Sequence, residues 1–147
     1  MKCASVVDAN ILVAELIRQR GRQLIVHPDL ELYMAEKAWD EACHELSKRI
    51  GIMVQKGIFS QDVGQNLLVD AIALAEAKVS VIPHEAYAGL ETTARTRIPR
   101  DPDDWPTVAL ALVLKAAIWI NDNDFLGCGL PTWTTDTLLV HLAAGQE

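Results

Sequence analysis

Four separated segments of the chain each carry a carboxylate at a position where an α/β protein can use it for chemistry. Asp8 ends a short apolar run, Glu41 lies in the first turns of a helical pattern, and Asp104 precedes another such pattern. Asp122 ends a further apolar run, and Asp124 follows two residues later. Crowded carboxylates repel one another and take up protons unless a cation neutralises them, so a cluster of these acids predicts a bound metal ion. Oxygen ligation, with no histidine or cysteine at ligand spacing, favours Mg²⁺ or Mn²⁺ over zinc.

Each acid also has a purely structural interpretation. Aspartate is a good helix N-cap, which would account for Asp8 and Asp104. Glu41 stands among other acids and is typical of a solvated helix face, and the NDND sequence at Asp122 is typical of a turn. These roles explain the acids one at a time. They do not explain why four strand ends or helix starts all supply one, and carboxylate clusters are typical of functional sites.

The elements that must position these acids follow from the hydrophobic pattern. Short apolar runs, several of them β-branched, predict strands at Cys3–Val7, Leu30–Ala35, Val79–Ile82, Ala117–Ile120 and Thr132–Thr134. Helical patterns separate them, after Asp8, over 36–50, 60–78 and 84–97, from Trp105 to Ala117, and from Asp136. This alternation predicts a three-layer α/β/α sandwich around a central, mostly parallel sheet. No interior stretch is typical of a linker, so residues 1–147 are predicted to form one domain.

The carboxyl ends of the strands are the expected place for a binding site. In open parallel sheets, ligands bind there because loops and helix N-termini converge. Asp8 and Asp122 end strands, and Asp104 comes just before a helix start. The sequence therefore predicts that these acids, with Glu41, share one rim of the sheet.

Composition narrows the function further. A formal net charge of -7 over 147 residues argues against a protein that coats nucleic acid through a basic surface. Metal held by the acids would reduce the repulsion that a phosphate meets in their pocket. The 3 cysteines show no CxxC spacing, so neither a disulfide framework nor a zinc cluster is predicted. Asp8 and Glu15 interrupt the apolar N-terminal run, and no small-residue cleavage site follows it, so a cytoplasmic protein without a signal peptide is predicted. The apolar stretches are shorter than the roughly 20 residues that span a bilayer, so no membrane partner is predicted.

Arginines and one tryptophan are candidates for contacts to nucleic acid. Arg20 belongs to a group of arginines flanking a predicted turn after the first helix, and Arg97 belongs to a second group leading toward Asp104. Both are predicted to hold RNA phosphates, although a solvated helix end explains them as well. Trp105, beside Asp104, is a candidate for stacking on a base and equally for the core.

Over nearly its whole length the chain resembles the PIN-domain nucleases, including toxin ribonucleases of the VapC type. The resemblance is carried by VVDANIL, AEKAWDEACHEL, RDPDDWPTVALAL and WINDNDF, of which the last two are the more specific. It implies a parallel sheet between helices and hydrolysis of RNA with Mg²⁺ or Mn²⁺. By position it implies that Asp8, Glu41, Asp104 and Asp122 are the catalytic acids. It also implies that Asp8, Asp104, Asp122 and the auxiliary Asp124 are the metal ligands.

The resemblance leaves alternatives open at individual positions. Glu36 competes with Glu41 as the second acid, and Asp101 or Asp103 competes with Asp104 as the third. Thr134, Thr135 and Asp136 near the last strand are additional candidates to assist the metal site. Many relatives are toxins of bacterial toxin-antitoxin pairs, usually homodimers covered by an antitoxin protein, so a homodimer and a possible antitoxin partner are expected here.

The function predicted from the sequence is a metal-dependent ribonuclease. The alternative is a catalytically silent PIN-fold module for binding or assembly, against which the complete set of acids speaks. An aspartate-pocket phosphatase or phospho-receiver is a second rival, but Asp8-Ala9-Asn10 lacks the paired acids that such sites present.

Overall fold

A computed structural model describes residues 2–121 and 127–144 of the chain. Within these ranges the strands are β1 Cys3–Val7, β2 Leu30–Ala35, β3 Val79–Ile82, β4 Ala117–Trp119 and β5 Thr132–Trp133. The helices are α1 Ala9–Ile17, α2 Gln19–Ile25, α3 Glu36–Gln55, α4 Gln61–Lys78, α5 Glu91–Arg97, α6 Trp105–Leu114 and α7 Thr135–Ala144. The strands predicted from the sequence are therefore confirmed, the last two with slightly shorter bounds.

The strands form one parallel sheet in the order β3-β2-β1-β4-β5. Parallel neighbours need crossover connections. Helices supply them between β1 and β2, β2 and β3, and β3 and β4, and helices cover both faces of the sheet. The predicted three-layer sandwich is confirmed. Because β1 is central, the chain builds outward through β2 and β3 and then returns to place β4 on the other side of β1.

The core lies where the central strands meet the helices. Val6 and Val7 of β1 and Ile118 and Trp119 of β4 are fully buried, as expected for parallel strands covered on both faces. Helix α6 is buried from Trp105 to Ala111, so it lies in the protein interior along most of its length. This helix begins directly after Asp104, so the burial of α6 also fixes the position of that acid.

Three details differ from the sequence predictions. The segment predicted as a turn after α1 is the short helix α2, in which Gly21 allows close packing against α1. The helix predicted over 84–97 is divided into 3-10 turns at His84–Ala86 and Ala88–Leu90 followed by α5, and Gly89 lies within the second 3-10 turn. Helix α6 ends at Leu114 because Lys115 adopts a left-handed conformation with φ 53°.

No helix in the described ranges is both long enough and apolar enough to cross a membrane.

Candidate active site

Asp8 lies at the end of β1 and is both a helix cap and a pocket residue. Its carboxylate accepts a hydrogen bond of 3.2 Å from the amide of Asn10, and its own amide donates to the carbonyl of Trp119 at 3.2 Å. The residue is 8% exposed, and it lines a cavity at the carboxyl ends of the strands. The capping interpretation and the catalytic one are therefore compatible, because Asp8 caps α1 and lines the cavity at the same time.

Three of the predicted acids meet in this cavity, which we call the acidic pocket. Its volume is about 240 Å³, and it is lined by Asp8 from the end of β1, Glu41 from α3 and Asp104 from the start of α6. Lys37, Asp103 and Thr107 also lie on its wall. Residues separated by up to 96 positions in the sequence thus converge at one rim of the sheet, as the parallel topology predicts.

Asp104 shows the electrostatic consequence of this convergence. Burial raises its pKa to about 7, with further contributions from a hydrogen bond with Asp101 and from the negative charges of Asp8, Asp101 and Glu41. A carboxyl group in such surroundings is poorly stabilised as an anion until a cation enters the pocket. The oxygen donors of the pocket are of the kind that Mg²⁺ and Mn²⁺ prefer.

The fit to a metal ion rests on this charge environment and not on a preformed cage. Across 2–121 and 127–144, no group of three His, Cys, Asp or Glu side chains already stands in a metal-holding arrangement. Asp8 and Glu41 are close enough to Asp104 to raise its pKa, and all three acids line the same cavity. Asp122 and Asp124, predicted as the remaining ligands, lie outside the described residues.

The structure distinguishes the candidates that the sequence left open. Glu36 is the first residue of α3, is exposed, and does not line the acidic pocket, whereas Glu41 does. Asp101 contacts Asp104, to which it contributes a side-chain hydrogen bond and a backbone carbonyl at 3.2 Å. Asp103 stands on the pocket rim with a side chain that is 90% exposed. Glu41 and Asp104 are therefore better placed to act in the pocket than their neighbours.

The candidates after β5 have structural partners. The hydroxyl of Thr134 accepts from the amide of Thr137 at 3.1 Å, while the amide of Thr134 donates to the Thr137 hydroxyl at 2.9 Å, which caps α7. Thr135 is buried, and its amide donates to Oδ1 of Asn121 at 2.9 Å. Asp136 is exposed in the first turn of α7.

A buried network behind the acidic pocket was not found from the sequence. The hydroxyl of Thr135 accepts from Nε1 of Trp119 at 3.1 Å and donates to Oε1 of Glu15 at 3.3 Å. Glu15 is 0% exposed, and its Oε2 has no hydrogen-bond partner in the described part of the chain. Its position in the segment ANILVAELI, in which every residue except Asn10 and Glu15 itself is apolar, was the available signal. The network joins α1, β4 and α7 next to the strand ends that carry Asp8 and Asn121.

The arginines predicted to hold RNA do not line the acidic pocket. Nη1 of Arg97 donates to the carbonyl of Cys128 at 2.8 Å, so this side chain holds the loop before β5. Arg20 is exposed on α2. Their contacts to RNA remain predictions.

The cation on the pocket wall is Lys37, which sequence reasoning missed although it stands one helical turn before Glu41. Its Nζ lies 5.4 Å from the ring centroid of Trp105. Trp105 itself is 2% exposed and packs with His84 and Tyr87. The suggestion that Trp105 stacks on a base is therefore wrong for this structure, because burial leaves no ring face for a base.

The fold and the pocket together define a parallel α/β domain with clustered acids at the carboxyl ends of its strands. Residues 6–143 match the family model of the PIN domain. The crystal structure of the protein PAE2754 from Pyrobaculum aerophilum is similar, with a TM-score of 0.67 and 18% sequence identity over 97% of this chain and 90% of that one. No curated protein sequence gave a significant match.

The chain belongs to the PIN-domain family, since the family model covers nearly all of it. The similarity to PAE2754 shows that the fold is shared and, at 18% identity, carries no further conclusion about activity. A PIN domain is a fold of the nuclease type, and the acidic pocket lies at the carboxyl ends of the strands, where open parallel sheets bind ligands.

Proposed function

We propose that the protein is a Mg²⁺- or Mn²⁺-dependent ribonuclease that hydrolyses phosphodiester bonds of RNA. The observation that carries the proposal is the convergence of Asp8, Glu41 and Asp104 on one pocket in which the charge of Asp104 is poorly stabilised. Asp122 completes the proposed set of catalytic acids, and Asp124 assists in binding the metal. The choice of RNA follows from the resemblance to PIN-domain nucleases.

The roles of the residues follow from their positions. A divalent ion, when bound, would polarise the scissile phosphate and make a coordinated water more acidic. Asp8 and Asp104 would hold the ion. The backbone of Asp8 is fixed by a hydrogen bond to Trp119 of β4, and that of Asp104 by a hydrogen bond to Asp101 in the same turn. Glu41, which also lines the pocket, would orient the attacking water or accept a proton from it. Lys37, on the same wall as Glu41, is placed to contact a phosphate oxygen.

The test compares RNA with a phosphomonoester, each with and without Mn²⁺. We expect cleavage of RNA only, and only with metal. Asp104→Asn should lower the rate by at least about a hundredfold, because asparagine keeps the helix-start geometry but weakens metal binding. Asp62→Asn makes the same charge change on the exposed first turn of α4 and should leave the rate within about twofold.

Each rival function makes a different prediction in the same assay. Cleavage of the phosphomonoester would favour a phosphatase, and the absence of cleavage of either substrate with any metal would favour the silent binding module. Equal activity of the Asp104 and Asp62 variants would contradict the proposed role of the acidic pocket.

We further propose that the nuclease acts in the cytoplasm as a homodimer and as the toxin of a toxin-antitoxin pair. This rests on the resemblance to PIN-domain toxins. Sedimentation of the purified chain tests the dimer. A short neighbouring reading frame whose product binds this chain and blocks RNA cleavage would support the toxin role, and a product without effect would contradict it.

A further inference from the structure

A second cavity adjoins the acidic pocket. Its volume is about 380 Å³, and Asp8 lines both cavities. That volume lies within the range of about 300 to 1,000 Å³ that is typical of small-molecule sites. The remaining wall includes Asn10, Ile11, Arg49, Ile120 and Asn121. An extended ligand with one unit in the acidic pocket can therefore place its next unit in this second cavity.

The second cavity lies at the point where the order of the strands reverses. Strand β1 has β2 on one side and β4 on the other, and the chain reaches β4 only after completing β3. Asn10 follows the end of β1, and Asn121 follows the end of β4. Open parallel sheets bind ligands in the crevice at such a reversal, because the connections leave the two strand ends in opposite directions.

Arg49 supplies the positive charge in the lining of the second cavity. Glu41, Glu45 and Arg49 recur every four residues along α3, so they follow one stripe of the helix, and Arg49 stands roughly 12 Å beyond Glu41. Nε of Arg49 donates to Oε1 of Glu45 at 3.1 Å. Within 2–121 and 127–144 this is the hydrogen bond that the side chain of Arg49 makes, and the side chain is 37% exposed. A guanidinium group held in this way presents its remaining N–H groups to a phosphate.

The rest of the wall suits a nucleotide. Ile11 and Ile120 contribute apolar atoms to the lining of the cavity, although most of each side chain is buried, and Asn10 and Asn121 add polar amides. Apolar surface can take a base or ribose, and amides can hydrogen-bond to their polar edges. The second cavity thus combines the cation Arg49, two amides and apolar side chains, and it shares the carboxylate of Asp8 with the acidic pocket.

We propose that the second cavity binds the nucleotide adjacent to the scissile bond of single-stranded RNA, with Arg49 holding the phosphate of that nucleotide. This inference rests on the proposed ribonuclease function and assigns the direction in which the substrate leaves the acidic pocket, along α3 and past Asp8. Arg49 is then a substrate-binding residue that takes no part in activating water.

The test compares Arg49→Gln with Lys48→Gln, which removes the same charge from an exposed neighbour on α3. Binding of a labelled oligoribonucleotide is measured without metal over a range of salt concentrations. We expect Arg49→Gln to raise Kd about tenfold, as loss of a charged hydrogen bond does. The slope of log Kd against log salt should fall by about 0.7, the value for one phosphate contact on a single strand. Lys48→Gln should stay close to the parent.

A second substrate separates binding of the neighbouring nucleotide from damage to the acidic pocket. Bis(p-nitrophenyl) phosphate offers a scissile diester with no neighbouring phosphate. With Mn²⁺, Arg49→Gln should lower kcat/KM for RNA about tenfold, mainly through KM, and leave kcat/KM for this small diester within about twofold. An equal loss on both substrates would overturn the proposal, because Arg49 would then act on the acidic pocket itself.

The outcomes also distinguish this inference from the proposed function. If the parent cleaves RNA but the two variants bind RNA equally, the second cavity is not the nucleotide site and the ribonuclease proposal stands. If the parent cleaves neither diester, the ribonuclease proposal fails. The metal-free binding comparison then still decides for or against Arg49 as a phosphate ligand.

Discussion

Asp104 illustrates how the structure decides between two interpretations of one sequence position. It precedes α6, where an aspartate is expected as a cap, yet it makes no capping hydrogen bond through its side chain. Its carboxyl group instead contacts Asp101 and faces Asp8 and Glu41 across the acidic pocket. The raised pKa is the physical mark of this arrangement, because a cap exposed to the helix N-terminus would be stabilised as an anion.

The choice between Glu41 and Glu36 gives a prediction at the level of single residues. Glu41→Gln should reduce RNA cleavage by about a hundredfold, since an amide is a weaker metal ligand and cannot accept a proton. Glu36→Gln removes the same charge from the exposed start of α3 and should leave cleavage within about twofold. Rates with saturating Mn²⁺ provide the measurement. Loss of activity in the Glu36 variant alone would mean that α3 presents a different acid to the substrate.

At the level of elements, α2 packs closely against α1, the helix that begins directly after Asp8. Nη1 of Arg22 donates to the terminal carbonyls of α1 at Leu16 and Ile17, at 2.9 and 3.0 Å, which satisfies groups that a helix end leaves unpaired. Gly21 packs directly against Glu15, the buried acid of the network with Thr135. The position of α1, and with it that of Asp8, therefore depends on the absence of a side chain at residue 21.

Gly21 and Gly51 have opposite environments, so alanine substitutions at these two positions test the packing. A Cβ at Gly21 would collide with the backbone oxygen and the carboxylate of Glu15, so Gly21→Ala should destabilise the protein by about 1–3 kcal/mol. Gly51 is in the interior of α3, and a Cβ there meets nothing within 4 Å. Gly51→Ala should therefore stabilise the protein by about 0.5–1 kcal/mol, the difference in helix propensity. Denaturant unfolding of both variants measures the two free energies, and equal signs would contradict this packing.

At the level of the whole molecule, the parallel sheet brings like charges to one rim, and folding must oppose their repulsion. The formal net charge of -7 adds to this effect. The repulsion among the clustered acids therefore lowers the free energy of unfolding. A cation that binds only the folded chain raises that free energy again.

This balance predicts the response of thermal unfolding to metal. Mn²⁺ at about a hundredfold over its Kd should stabilise the parent by about 2.7 kcal/mol and raise Tm by roughly 5–10 °C. Asp104→Asn should be at least as stable as the parent without metal, because one like charge is gone, and should lose most of the shift with metal. Scanning calorimetry with and without Mn²⁺ measures both effects. A Tm that stays constant across millimolar Mn²⁺ would contradict metal binding in the acidic pocket.

The sequence by itself determined the elements, because their signals are local. The β-branched run at Cys3–Val7 and the buried face of α3 depend on residues a few positions apart, and both elements form where they were predicted. The order of elements was enough to predict a parallel sheet, and the parallel sheet was enough to predict a rim where Asp8 and Asp104 meet. The pocket of three acids was within reach of sequence reasoning for this reason.

Only the tertiary structure decided which residues stand beside which. Whether Glu41 or Glu36 faces the pocket depends on the rotation of α3 about its axis, which packing against the rest of the fold fixes. The hydroxyl of Thr135 meets Glu15 across 120 positions of sequence, and Asn121 reaches the cavity beside Asp8 because β4 returns to pair with β1. Such contacts result from long-range burial of apolar surface, so no local pattern in the sequence announces them.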